Sequence, residues 1–250
     1  MNDLTVFDIA EMIDHSLLRP TLTNDEFDEG ILLARKYKMA TCCVAPYDVV
    51  RAVKGLAGSG VKVSTVIDFP HGSNLTEAKV YEAELAIKNG ASSLDMVLAI
   101  SRLISGEYDY VENDIRQVVE CAHPHGINVK VIFENCFLTK EMIVKACELT
   151  EKAGADFVKT STGYGTGGAT LADCYLMRQS TSATIAVKAA GGIRTLDDVL
   201  CYRAVGTKMI GTRASASILD EAEKRFNEGS LCEFDPEVVI SQIQSKEQLI

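Results

Sequence analysis

Three lysines and two carboxylates stand in stretches of this sequence whose neighbours are otherwise mostly apolar. Asp95 lies in Ser-Leu-Asp-Met-Val-Leu, Lys130 and Glu134 in Val-Lys-Val-Ile-Phe-Glu, Lys159 in Asp-Phe-Val-Lys-Thr and Lys188 in Ile-Ala-Val-Lys-Ala. A charge buried in such a run costs several kcal/mol unless it is paired or used. A closed ion-pair network in which Asp95 and Glu134 neutralise two of the lysines would satisfy that condition without any chemistry. Three positive and two negative groups, however, leave one lysine without a full counter-charge. A lysine amine with its ordinary pKa of about 10.4 is protonated and useless as a nucleophile, whereas burial and a neighbouring cation both favour the neutral form. A neutral amine attacks a carbonyl to give an imine, an electron sink for carbanion chemistry that requires no metal or organic cofactor. Aldol or decarboxylation chemistry is the class indicated.

Glycine-rich turns supply a second function. Ala-Ala-Gly-Gly-Ile-Arg at 189–194 and Ile-Gly-Thr-Arg-Ala at 210–214 each read as a strand-to-helix turn. Backbone N–H groups and helix N-termini in such turns hold phosphate, and in α/β barrels the turns after strands seven and eight are the frequent cradle. Arg194 and Arg213 fit an anion there. Residues 163–168, Gly-Tyr-Gly-Thr-Gly-Gly, contain G-x-G-x-x-G, but the acidic residue that a dinucleotide site needs about 20 positions on is replaced by Lys188. A dinucleotide site is rejected.

These groups need a scaffold that brings distant segments together. Short β-branched runs alternate with longer amphipathic segments throughout, the order of a parallel sheet with helical crossovers. Strands are expected around Ile13 to Leu17, Thr41 to Val44, Val61 to Ile67, Ser93 to Leu98, Val129 to Phe133, Asp156 to Thr160, Thr184 to Lys188 and Lys208 to Gly211. Helices are expected near 24–38, 48–57, 76–89, 107–125, 139–153, 170–180, 195–204 and 214–228, with start signals at Thr76, Thr139 and Thr195 and stops at Asn89-Gly90 and Gly154. The first strand is the least regular, because His15 and Ser16 interrupt its apolar run. Eight of each fit a single (β/α)₈ TIM barrel over residues 1–250, a usual length for that fold. Strand alternation puts Lys130, Ile132 and Glu134 on one face, and barrel closure turns that face toward its neighbours.

Composition excludes other classes. With 47% hydrophobic and 24% charged residues and only 5 Pro, the chain reads as a compact soluble protein. A formal net charge of −10 argues against a nucleic-acid surface, and no apolar run approaches the roughly 20 residues of a membrane span. The 8 Cys are scattered without a secretory signal, so they read as reduced thiols. Cys42 and Cys43 face opposite ways on a strand, which leaves Cys43 free to meet the pocket. His15, His71, His123 and His125 offer no ligand cluster, since His123 and His125 flank a proline, and no metal site is expected.

The motifs Ile-Asp-His-Ser-Leu-Leu-Arg-Pro (13–20), Cys-Val-Ala-Pro (43–46), Leu-Asp-Met-Val (94–97), Val-Lys-Val-Ile (129–132), Gly-Ala-Asp-Phe-Val-Lys-Thr-Ser-Thr-Gly (154–163) and Val-Lys-Ala-Ala-Gly-Gly-Ile-Arg (187–194) occur in that order. From Ile13 to about Leu219 the chain resembles the deoxyribose-phosphate aldolases. The resemblance implies that Lys159 forms the Schiff base, Lys188 lowers its pKa, and Asp95 relays protons with an ordered water. It implies further that Asp14 and Lys130 orient sugar hydroxyls and the Asp95 network, and that Cys43 and Thr162 meet the substrate. Gly163, Gly191, Gly192 and Gly211 would present amides to the phosphate, and Arg213, which is not part of the family pattern, would replace the serine hydroxyls missing here. The implied reaction joins or separates acetaldehyde and glyceraldehyde 3-phosphate without a cofactor, in a cytoplasmic homodimer or homotetramer. Three positions depart from the family pattern: Arg213-Ala214 in place of two serines, Asp68 where glycine is common, and Ser93 where an acid is frequent. A related Schiff-base aldolase with another sugar phosphate, and a non-catalytic sugar-phosphate-binding barrel, are the competing readings.

Overall fold

The computed structural model describes residues 4–247; residues 1–3 and 248–250 of the expected domain lie outside the described residues. Eight parallel strands close into a barrel in sequence order. They are β1 (Ile13–Leu17), β2 (Thr41–Val44), β3 (Lys62–Ile67), β4 (Ser93–Val97), β5 (Asn128–Ile132), β6 (Phe157–Lys159), β7 (Ala186–Ala190) and β8 (Thr207–Thr212). The expected (β/α)₈ architecture is therefore present. Six strands fall within one or two residues of their expected bounds at either end, and β1 and β2 match them outright. Strand β7 begins and ends two residues later than its β-branched residues suggested, because pairing to β6 sets Lys188 opposite Lys159.

The helices form the outer layer, and those that link successive strands pack back on them, as Tyr108–Ala122 does on β5 and Leu171–Gln179 on β7. Thr23, Thr139, Thr170 and Thr195 cap helix N-termini with their side chains, each accepting a backbone N–H three residues on. Thr76 is an exception to the expected start signals. Leu75 occupies the cap position there, and the Thr76 hydroxyl donates to Asp114 instead, at 2.8 Å. Among the described residues three α-helices were not expected: Val6–Ala10, Ile100–Ile104 and Pro236–Glu247. The first packs against the helix Ser215–Asn227 and buries Ile9 and Ala10. Among the described residues no helix is long and apolar enough to cross a membrane. All eight cysteines are free thiols.

Glu134 does not continue the strand face of Lys130 and Ile132 on which it was expected. Strand β5 ends at Ile132, and Glu134 adopts a left-handed conformation with φ +55°, which turns its side chain away from the period-two alternation. Its carboxylate instead accepts from the Thr162 amide at 3.2 Å and from the Thr162 hydroxyl. Asp68 is also left-handed, at φ +49°. Its carboxylate accepts from the Asn74 amide at 2.9 Å and faces the fully buried Lys79 at 3.4 Å. That local bonding accounts for an aspartate where the backbone would suit glycine.

Candidate active site

The barrel register brings the buried charges together. Asp95 pairs across the sheet with Lys130, and Lys159 with Lys188. Asp95 then gathers all three amines: Lys159 Nζ and Lys188 Nζ each donate to Oδ2 at 2.6 Å, and Lys130 Nζ donates to Oδ1 at 3.0 Å. Lys188 also donates to Asp14, which is held by the Thr41 hydroxyl and by Ser64 Oγ at 3.2 Å. The second carboxylate of the cluster is thus Asp14 on β1, in the role the sequence reading gave to Glu134. Three ammonium groups facing two carboxylates still leave a surplus of one positive charge.

All of these groups are buried, so protonation is decided by their neighbours rather than by water. Burial pushes the Lys159 amine below the ordinary lysine range; Asp95 opposes this and the Lys188 ammonium reinforces it. Burial would do the same to Lys188, but Asp14 and Asp95 together hold that amine above the ordinary range. The desolvation cost that would raise the Asp95 carboxyl is outweighed by Lys130, Lys159 and Lys188, which keep it well below the usual carboxylate range. Two lysines side by side therefore diverge in acidity. Lys159 gives up its proton more readily than an ordinary lysine, and Lys188 less readily. Asp14, Cys43 and Asp95 bring their ligand atoms within 4.8 Å of one another, a spacing a metal ion would accept. The Lys188 ammonium bonds both carboxylates and fills the cationic role there. Burial pushes the Cys43 thiol up to about 12, so it is a neutral wall group.

Above the cluster, at the carboxyl ends of the strands, lies a cavity of about 440 Å³. Of the three cluster lysines, Lys159 is the one that lines it, beside Asp14, Cys43 and Thr162. Lys188 and Lys130 sit deeper. Gly163, Gly191, Gly192 and Gly211 line the same cavity, with Arg194 and the exposed Arg213 at its rim. Gly163, Gly191 and Gly192 have φ of +85°, +88° and +84°, which presents backbone amides in directions other residues rarely allow. Gly211 is there for space, since a Cβ would stand 3.0 Å from Ala190 Cβ and 3.5 Å from Lys188 Cε.

The loop that mimics a dinucleotide motif has a packing purpose. A Cβ on Gly168 would meet the Gly191 carbonyl oxygen at 2.4 Å, and Ala169 N donates to Ala190 O at 3.0 Å. Loop 163–168 is thereby pressed onto the phosphate-type turn. Tyr164 was missed by sequence reasoning. It closes one side of the cavity, donating to Leu18 O at 2.8 Å with its ring edge-on to Phe69 at 5.5 Å. Its position between two loop glycines was the available signal. Of the histidines, His123 pairs with Asp156 at 3.0 Å, and His15 is buried beneath the helices with Nδ1 on Ser215 Oγ at 2.9 Å.

A closed parallel barrel with a buried lysine–carboxylate cluster beneath a glycine-walled cavity defines a barrel enzyme of carbonyl chemistry, an aldolase and hence a lyase. The model of the DeoC/LacD family aldolases matches residues 25–229, and the chain belongs to that family. The deoxyribose-phosphate aldolase of Rhodopirellula baltica is 49% identical over 226 residues, covering 90% of this chain and 94% of the relative. That of Thermococcus gammatolerans is 48% identical over 217 residues, covering 86% and 96%. Among solved structures, an aldolase named QR15 superposes with a TM-score of 0.84 at 38% identity, covering 88% of this chain and 98% of the other. The tetrameric deoxyribose phosphate aldolase of Aeropyrum pernix superposes with a TM-score of 0.82 at 29% identity, covering 89% and 94%.

Proposed function

We propose that the protein cleaves 2-deoxy-D-ribose 5-phosphate reversibly to acetaldehyde and D-glyceraldehyde 3-phosphate through an imine on Lys159. The observation that carries this reading is that Lys159, whose amine burial pushes toward neutrality, is the cluster lysine that lines the cavity. The neutral Nζ attacks the C1 aldehyde of the open-chain sugar and water leaves. Loss of the C3 hydroxyl proton then breaks the C2–C3 bond, releasing glyceraldehyde 3-phosphate. The electron pair is held as an enamine on Lys159, and protonation at C2 with hydrolysis of the imine returns acetaldehyde. Lys188 keeps the Lys159 amine acidic, and Asp95 with an ordered water relays the protons. Asp14 orients the sugar hydroxyls, Lys130 holds the Asp95 network, and Cys43 and Thr162 shape the wall. The amides of Gly163, Gly191 and Gly192 and the Arg213 side chain receive the phosphate, with Gly211 leaving room beside it.

Arg213-Ala214 favours a second reading, in which the same Lys159 chemistry serves a different sugar phosphate whose anion extends toward the rim. We place the enzyme in the cytoplasm as a homodimer or homotetramer; sedimentation tests the assembly. Borohydride trapping separates the chemical readings. An adduct on Lys159 from both acetaldehyde and 2-deoxyribose 5-phosphate, absent in Lys159→Ala, supports the proposal. An adduct from acetaldehyde alone moves the substrate elsewhere, and no adduct on Lys159 from either compound removes the mechanism.

A further inference from the structure

Barrels of this class are ordinarily sealed at the amino-terminal end by layers of branched apolar side chains. Here that end is mixed, with polar groups set beside Phe157 and Met209. Thr41, Ser64, Ser93 and Lys130 are all buried near the strand starts, and none of them is hydrocarbon at its tip. Below them a second cavity, of about 470 Å³, opens at the amino-terminal face. Its inner wall includes Thr41, Ser93 and Lys130, and its rim includes Lys62 and Asn128, both exposed.

Each cavity touches an end of one hydrogen-bonded chain. From below, Lys130 meets the Ser93 hydroxyl and donates to Asp95 Oδ1 at 3.0 Å; from above, Lys159 donates to Asp95 Oδ2 at 2.6 Å. A parallel branch runs from Thr41 through Asp14 and Lys188 to the same Asp95 oxygen. The catalytic cluster thus spans the barrel between two openings. A cavity of this size with several polar groups on its wall is roomy enough for several waters.

We propose that the amino-terminal cavity is a second solvent opening to the cluster, through which Lys130 passes protons between water and Asp95 while substrate fills the cavity above. The inference rests on the Lys159 imine reading. Its step balances simply. The Lys159 ammonium gives a proton to the Asp95 carboxylate, the Lys130 ammonium gives one to water in the lower cavity, and the Asp95 carboxyl then reprotonates Lys130. One proton has moved from Lys159 to the far face, and the other groups recover their charge. Substrate and its phosphate fill the upper cavity that Lys159 lines, so an exit below lets imine formation proceed without displacing them.

Two measurements test the opening. In Lys130→Ala, the missing three carbons and amine are supplied as propylammonium. We expect turnover of 2-deoxyribose 5-phosphate to recover at least fivefold, undiminished at saturating substrate, and to be lost when Asn128→Trp is added to block the rim. Recovery that vanishes at saturating substrate, that survives Asn128→Trp, or that never occurs in a folded Lys130→Ala protein overturns the proposal. Asn128→Trp alone gives the second test, in case the lysine variant does not fold. We expect kcat to fall severalfold and its solvent deuterium isotope effect to rise, with KM unchanged; an unaltered kcat and isotope effect overturn the proposal. Borohydride trapping on Lys159 is run alongside in every variant. Loss of the adduct from the unmodified enzyme removes the imine reading, whereas a retained adduct with no effect of the rim variant removes the second opening alone.

Discussion

At the scale of single residues, two lysines of identical chemistry are assigned opposite protonation by their carboxylates. Lys188 touches both Asp14 and Asp95, while Lys159 touches Asp95 only and stands at the cavity wall. Replacing Lys188 by Met removes the cation that disfavours a charge on Lys159 and frees two carboxylates to favour it. Both changes raise the Lys159 pKa, so less neutral amine is present at a given pH. We expect the acid limb of acetaldehyde trapping to move to higher pH and the trapping rate at pH 7 to fall about tenfold, the equivalent of about 1.4 kcal/mol. A limb that stays in place would show that Lys188 does not set the Lys159 amine. The lysines were legible in the sequence because a charge in an apolar run demands a reason. Asp14 was not legible on that ground, since β1 is too broken by His15 and Ser16 for its aspartate to stand out. Glu134 was misplaced because one left-handed residue ends the alternation from which its direction was inferred.

At the scale of elements, the strand-to-helix turns hold the site and the helices hold the turns. Gly168→Ala places a methyl 2.4 Å from the Gly191 carbonyl oxygen, so loop 163–168 and the Gly191-Gly192 turn must separate. We expect KM for the sugar phosphate to rise by about tenfold or more while trapping of acetaldehyde, which has no phosphate, changes little. A second element carries its own buried ion pair. Lys79 on the helix Thr76–Lys88 donates to Asp114 at 2.6 Å and to the Val97 carbonyl at 3.1 Å, tying that helix to the helix Tyr108–Ala122 and to the end of β4. Lys79→Met strands the Asp114 carboxylate in a buried site and takes the ammonium away from Asp68 as well, at a cost of about 3–5 kcal/mol seen as a lower denaturant midpoint. Pairing it with Asp114→Leu is expected to restore part of that loss, because Asp68 still lacks its ammonium. Strand and helix order was readable because the periodicities switch cleanly. The helices Val6–Ala10 and Ile100–Ile104 were not, because five residues hold too little of the 3.6-residue repeat. The helix Pro236–Glu247 did announce itself through proline at its first position, a signal that the weak apolar periodicity behind it obscured.

At the scale of the whole molecule, closure of the barrel depends on β1, and β1 carries the one buried histidine of the described residues. Strand β1 pairs with β2 on one side and with β8 on the other, so its loss opens the sheet. His15 points outward from it, with Nδ1 on Ser215 and Nε2 without a partner, 3.1 Å from the point a Cβ on Gly30 would occupy. A second ring proton would place an unsatisfied cationic N–H against Gly30 and Leu17. Burial accordingly lowers the His15 pKa from 6.5 to about 4, although Asp14 opposes this. A group protonated less readily in the folded state contributes stability that is complete above its unfolded pKa and is lost as pH falls through it. For His15 the loss begins near pH 6.5 and is complete near pH 4, and it amounts to about 3 kcal/mol. Replacing His15 by Gln removes the titration while keeping a polar group opposite Ser215. We expect the unfolding free energies of the two proteins to fall at different rates across this window. The gap between them at pH 7.5 should narrow by about 3 kcal/mol at pH 4. Parallel curves in denaturant titrations over that range would mean that the ring is protonated as easily in the closed barrel as in the open chain.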